Sequence, residues 1–276
     1  PQESSAMDYS YSEGSVTDYT ENWTLGNDTL TLSGTASLTL SGGFKTNGGN
    51  NKTVVLVKES ASLTAATMQL GDNRAWFTFE MTGNSTVSIT SRLDMFMAIP
   101  DNNYAGENST FTIGGGTLNV QQLNIGRDNN WGSNGALPAP GNEPVGMDYF
   151  YMTGGRMNVG SGGVDANIQT TTIFSGGTLG VLDSDWKWNE IRKYNPDGVV
   201  NEIMLEGNTF TINTEATRDG TGDNTTKIGD GKKIILGATL RDNVVITEDR
   251  QEIVRTGGLI KEGAGTLVLT AANTYS

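Results

Sequence analysis

The sequence predicts an all-β protein wound as a parallel β-solenoid, in which short strands stack into successive rungs. Three observations predict it. Units of alternating apolar and polar residues recur along the chain, Gly- and Ser-rich turns close them, and helical periodicity is nearly absent.

The alternation starts with DTLTLSG after Asn27 and SLTLSGG at Ser37–Gly43. It returns as STVSIT (Ser85–Thr90), STFTIGGGTLNV (Ser109–Val120), GGRMNVGSGG (Gly154–Gly163), FSGGTLGVL (Phe174–Leu182), NTFTINT (Asn208–Thr214) and GAGTLVLTA (Gly263–Ala271). In each unit the apolar residues occupy alternate positions, so they point to one face of a strand while Thr, Ser or Asn point to the other.

The closing turns separate a solenoid from a sandwich. A hairpin announces itself by Asn-Gly or Asp-Gly between alternating runs. The Asp-Gly pairs here, at Asp197, Asp219 and Asp230, fall in polar stretches and not at tight strand joints. Parallel stacking with loops inserted between rungs is therefore expected, the longer insertions being Arg127–Asp148 and Asp183–Asp197. Residues 1–26, rich in Ser, Tyr and acidic groups, are read as an irregular polar lead-in, and residues 27–276 as the solenoid. The one segment with helical character is WKWNEIRKY (Trp186–Tyr194), expected to make a turn or two of helix before Pro196 and Gly198 end it.

Composition narrows the function. The chain carries 31 acidic against 18 basic residues, a net charge of −13. Such a surface repels nucleic-acid backbones and anionic bilayers, so no nucleic-acid partner is expected. Cysteine and histidine are both absent. Without histidine there is no Ser-His or Cys-His couple and no histidine-ligated zinc or haem. No run approaches the roughly 20 apolar residues of a membrane-spanning helix, TVVLV at Thr53–Val57 and MFMAI at Met95–Ile99 being the best. No signal-peptide pattern precedes Pro1, and the chain is read as a mature or trimmed segment.

Residues 257–276, GGLIKEGAGTLVLTAANTYS, resemble the autotransporter passenger-associated repeat. The matching positions are Gly257, Gly258, Leu259, Lys261, Gly263, Gly265, Thr266, Leu267, Leu269, Ala272, Asn273, Thr274 and Tyr275. GGTLGV at Gly176–Val181 and LNIGRDNN at Leu123–Asn130 resemble segments that precede this repeat in long surface proteins. The resemblance implies a right-handed β-helical passenger, displayed at the cell surface after a C-terminal outer-membrane barrel, not contained in these residues, has carried it across. The leading expectation is a stalk with adhesin-like character, whose partners would be host or environmental glycans or surface proteins, and the missing histidine and cysteine make a non-enzymatic role the expected one.

The search for chemistry leaves one acidic cluster. DSDWKWNE places Asp183, Asp185, Trp186, Trp188, Asn189 and Glu190 together. Tryptophans beside carboxylates can stack on a sugar ring, so Asp183, Asp185, Trp186, Trp188 and Asn189 are the candidate glycan contact. The structural alternative is a solvated turn whose tryptophans cover a rung. No catalytic residue, cofactor or metal site is assigned. GSGGVDANI (Gly160–Ile168) nearly follows a calcium-binding nonapeptide, but Ser161 and Asn167 break it, and one imperfect copy cannot build stacked oxygen sites. Asp219, Asp223 and Asp230 offer oxygens in what reads as plain turns. The Asn-x-Ser/Thr triplets at Asn22, Asn27, Asn51, Asn84, Asn108 and Asn224 are read as unmodified. MDYFYM (Met147–Met152) and Trp131 are read as packing before contact surface.

Three function classes remain: a surface-displayed structural and adhesive module, a polysaccharide-acting enzyme using the Asp183–Glu190 loop, and a filament or matrix component joined through open solenoid ends. Gly263–Ser276 is expected to be the last rung, with Thr266–Leu269 a strand at an end that no cap covers. Such an end should pair with a neighbour, fray or lean on an inserted loop.

Overall fold

The computed structural model describes residues 7–19, 22–46, 52–72, 76–97, 109–126, 148–166, 170–190, 202–247 and 249–275. These residues form 23 strands and no helix. The first sheet has ten strands in the order β1 (Asp8–Tyr11), β4 (Thr29–Leu32), β6 (Lys52–Val57), β8 (Trp76–Met81), β10 (Thr110–Ile113), β12 (Asp148–Met152), β14 (Thr170–Phe174), β17 (Glu202–Leu205), β20 (Thr239–Ile246) and β21 (Glu252–Arg255). The second has thirteen. Along its main path run β2 (Ser15–Tyr19), β5 (Ser37–Thr46), β7 (Ser62–Asp72), β9 (Thr86–Met97), β11 (Thr117–Ile125), β13 (Arg156–Ala166), β15 (Thr178–Val181), β18 (Phe210–Ala216) and β22 (Leu259–Glu262). Beside it lie β3 (Trp23–Leu25), β16 (Trp186–Glu190), β19 (Lys233–Leu236) and β23 (Thr266–Leu269).

Neighbours in each sheet are separated in sequence by a strand of the other sheet, and their pairing is parallel except for the β20–β21 hairpin. The chain thus alternates sheets as it climbs, which is a parallel β-solenoid. Each rung has three legs. The first belongs to the first sheet, and the other two are the halves of a long second-sheet strand bent at a register shift, as between Leu40 and Gly43 in β5, Ala65 and Thr67 in β7, and Val120 and Gln122 in β11. From β15 onward these two legs separate into β15 and β16, β18 and β19, then β22 and β23, because β13 pairs β15 through its first half and β16 through its second.

The alternation read from the sequence sets the core. In β4, β6 and β10 every second side chain is buried. Parallel in-register pairing then stacks like on like: Leu30, Val55, Phe79, Phe111 and Phe150 form one inward column, and Leu38, Leu63, Val87, Leu118, Met157, Leu179 and Ile212 another. Each fully buried aliphatic side chain contributes about 1.5–3 kcal/mol. The aromatic column adds ring contacts, from Phe79 stacked on Phe111 at 4.3 Å to Phe174 tilted on Phe210 at 4.6 Å. Corner turns between the legs need backbone conformations that few residues adopt. Gly116 has φ +72°, and a Cβ there would lie 2.2 Å from the Ser85 carbonyl oxygen of the rung below.

Residues 1–26 differ from their expected irregularity. β1, β2 and β3 lie inside that stretch and pair with β4 and β5. Tyr9, Tyr11 and Trp23 pack against the core; the inward residues are aromatic and spaced by Ser and Thr, so counting aliphatic residues hides the alternation. The expected helix at Trp186–Tyr194 is also corrected. Trp186–Glu190 is strand β16, held between β13 and β19, and Ile191–Tyr194 lies outside the described residues. Two tryptophans spaced by one residue put both rings on the same face of a strand, and burial of that face outweighs a weak helical preference.

Thr266–Leu269 forms a strand, as the sequence suggests. Among the described residues this strand, β23, is bonded to β19 on one side only. Leu267 and Leu269 pack against the core. Asn273 Oδ1 accepts the Leu240 amide at 2.9 Å, and the Thr274 amide donates to the Leu240 carbonyl at 2.8 Å, returning the chain to the first sheet.

Candidate functional site

The Asp183–Asn189 segment is built into the solenoid wall. Trp188 is fully buried and Trp186 is 4% exposed. Trp188 sits edge-on to Phe174 at 6.4 Å, at the end of the aromatic column. Neither indole face is available to a sugar, which corrects the expectation that this pair stacks on a glycan. The Trp186 Nε1–H has no acceptor, so the ring is held by packing alone. Asp183 is 3% exposed and bonded to the Arg218 guanidinium through Nε at 3.1 Å and through Nη2. Its Oδ1 accepts from the Ser184 hydroxyl at 2.9 Å. Asp185 is exposed, and its Oδ1 accepts the Lys233 amide at 2.8 Å. Every described member of the acidic cluster therefore has a structural task.

Asn189 belongs to a different array. In the second-sheet legs after the bend, Asp94, Asn124, Asp165 and Asn189 fall in register on successive strands. Asn124 Nδ2 donates to Asp94 Oδ1 at 2.6 Å, and Asn189 Nδ2 donates to Asp165 Oδ1 at 3.0 Å. Gln122 Nε2 bridges Asn124 Oδ1 and Asp165 Oδ2 at 3.3 and 3.4 Å, and Arg92 Nε closes the other end on Asp94 Oδ2 at 2.8 Å. Acid and amide alternate, so each carboxylate meets donors and no two carboxylates are adjacent in register.

Before the bend, the outward residues of the second sheet form an open groove of about 490 Å³. It is lined by Ser88, Thr90, Thr117, Asn119, Arg156, Asn158, Thr217 and Arg218, with Ile89 and Leu182 beneath. Arg156 stands in a column of hydroxyls, in register with Thr117 on one side and Thr178 on the other. Its Nε donates to Asn158 Oδ1 at 2.6 Å, and Asn158 Nδ2 donates to Asn119 Oδ1 at 2.9 Å. Gly180 lets both side chains lie against its backbone: a Cβ there would come within 2.7 Å of Arg156 Nη2 and 2.6 Å of Asn158 Oδ1. Burial lowers the Arg156 pKa, opposed by the nearby charges of Glu262 and Glu215. No residue lining the groove is a carboxylate, so paired-acid hydrolysis has no machinery in this place.

The groove was missed because its residues come from five separate segments of the chain. One signal for it was present: GGRMNV puts arginine where the other units put Ser or Thr.

The remaining candidates are turns and packing. Asp219 Oδ1 accepts the Ile228 amide at 3.1 Å, and Asp230 Oδ2 accepts the Lys227 amide at 2.8 Å. The Ile228 bond foremost, with Lys227 assisting against slight desolvation, lowers the Asp219 pKa. Among the described residues no group of three or more His, Cys, Asp and Glu is placed to hold a metal. Asn167, Ile168 and Trp131 lie outside the described residues. In MDYFYM, Phe150 enters the core while Tyr149 and Tyr151 stack on the outer face at 5.5 Å. Comparison with protein-family models, with curated proteins and with solved structures finds no match.

Proposed function

We propose that the chain is a stalk-forming passenger segment of a bacterial surface protein of the autotransporter type, with a structural and displaying role and no enzymatic one. The observation that carries this reading is the last rung. The residues resembling the passenger-associated repeat form two strands and a return to the first sheet, stacked on rungs of the same parallel pattern. Strand after strand in register makes a stiff body whose stability is a sum over neighbouring rungs, which suits a spacer standing off a cell surface. The acidic composition keeps such a body soluble and away from anionic membranes. The lack of histidine and cysteine, and of carboxylates in the groove, supports the non-enzymatic part.

The test is surface labelling. Antibodies raised against this chain should label intact cells of the organism that makes it, and external protease should remove the signal. Labelling that requires permeabilised cells would reject the reading.

A further inference from the structure

We infer that the Arg156 groove binds an acidic saccharide, recognising a sugar carboxylate. Arg156 Nε donates to Asn158 Oδ1, so the amide nitrogen of Asn158 faces Asn119 and donates to its Oδ1. Asn119 has thereby spent its acceptor on Asn158, and its Nδ2 remains as a donor. Asn158 is 2% exposed, which locks the relay in place.

Among the described residues Arg156 spends only Nε, and its two terminal nitrogens, lying against the bare backbone of Gly180, are left for a ligand. Arg218 binds Asp183 through Nε and Nη2 and keeps Nη1. The lining thus presents guanidinium and amide N–H groups with no carboxylate among them. A planar guanidinium with spare donors matches a carboxylate in bidentate geometry. The hydroxyls of Ser88, Thr90, Thr117 and Thr217 suit the remaining sugar hydroxyls, and the volume lies in the roughly 300–1,000 Å³ range of small-molecule sites.

The experiment is calorimetric titration of the 276-residue protein at low ionic strength with D-galacturonate, with D-galactose and with acetate. Galacturonate should bind about tenfold or more tightly than either, since galactose lacks the charge-assisted bonds and acetate lacks the hydroxyl contacts. Arg156→Gln should weaken galacturonate by a similar factor. Asn119→Asp, which keeps Arg156 but turns a donor into an anion, should weaken it as much, and Gly180→Ala should do so by displacing the guanidinium. Circular dichroism of each variant identifies loss through misfolding. Equal binding of galactose would overturn the carboxylate assignment, and equal binding of acetate the saccharide. No binding by any of the three, or full binding by folded Arg156→Gln and Asn119→Asp, would sink the site.

Discussion

Trp186 and Trp188 show how far one residue's fate depends on its neighbours across the rungs. In sequence they stand beside acids and look like a sugar platform. In the fold Trp188 pairs in register with Val164 and Leu236 and is enclosed on both sides, while Trp186 pairs with Ile234 at a site that leaves its N–H unsatisfied. Their energetic worth should differ accordingly. Trp188→Ala is expected to cost about 3–5 kcal/mol through transfer and cavity terms. Trp186→Ala should cost less, because it also removes a buried unpaired donor. Asp185→Asn, exposed and retaining an acceptor for the Lys233 amide, should stay within about 0.5 kcal/mol. Hydrogen exchange of the β13, β16 and β19 amides measures the three variants on one scale. A Trp188→Ala protein with unchanged protection would show the ring to be a surface group.

At the scale of elements, the strands with aliphatic alternation were legible because the same period-two pattern defines both strand and core. Elements that departed from expectation did so for local reasons: β1 and β3 pack aromatic residues against the core, and β16 carries its pattern in only two rings. The polar arrays were not legible, because they depend on which strands become neighbours. Register partners in the column from Ser37 through Ser62, Thr86, Thr117, Arg156, Thr178 and Thr211 to Ile260 are 25, 24, 31, 39, 22, 33 and 49 residues apart. No fixed period in the sequence brings Asn124 between Asp94 and Asp165. Once that placement is known, its consequence can be tested. Asn124→Asp would align three carboxylates at the interstrand spacing of about 4.8 Å. The repulsion should destabilise the protein by about 1–3 kcal/mol at neutral pH. Because the substituted pair raises carboxyl pKa values in the folded state, the deficit should shrink as pH falls through them and protonation removes the charge. Urea midpoints of both proteins at pH 7 and below pH 4 check this; an equal deficit at both would assign it to lost hydrogen bonds and not to charge.

For the whole molecule, a solenoid's weak places are its ends, where a rung of N–H and C=O groups has no successor. Among the described rungs, the one carrying β22 differs from those below it. β22 bonds only to β18 on its path, and its inward positions in register with Phe210 and Ile212 are Leu259 and Lys261. Lys261 therefore stands where every lower rung of that column has an apolar residue. Its ammonium leans on the Gly263 carbonyl, exposed to water. Another molecule docking β2 and β3, each also paired on one side among the described residues, onto this end would bury that charge. The desolvation cost is several kcal/mol, enough to oppose the head-to-tail contact that would otherwise propagate as a filament. Head-to-tail contact is therefore expected to be opposed by this side chain. Lys261→Ile should leave the rung folded, extend the apolar column to the surface, and convert the protein to concentration-dependent oligomers in sedimentation velocity. The parent should stay monomeric over the same range, and Lys261→Arg should behave like the parent because it keeps the charge. If Lys261→Ile also stays monomeric, the inward lysine is not what restrains the end, and the partly covered Leu267 and Leu269 of β23 would have to be harmless without it.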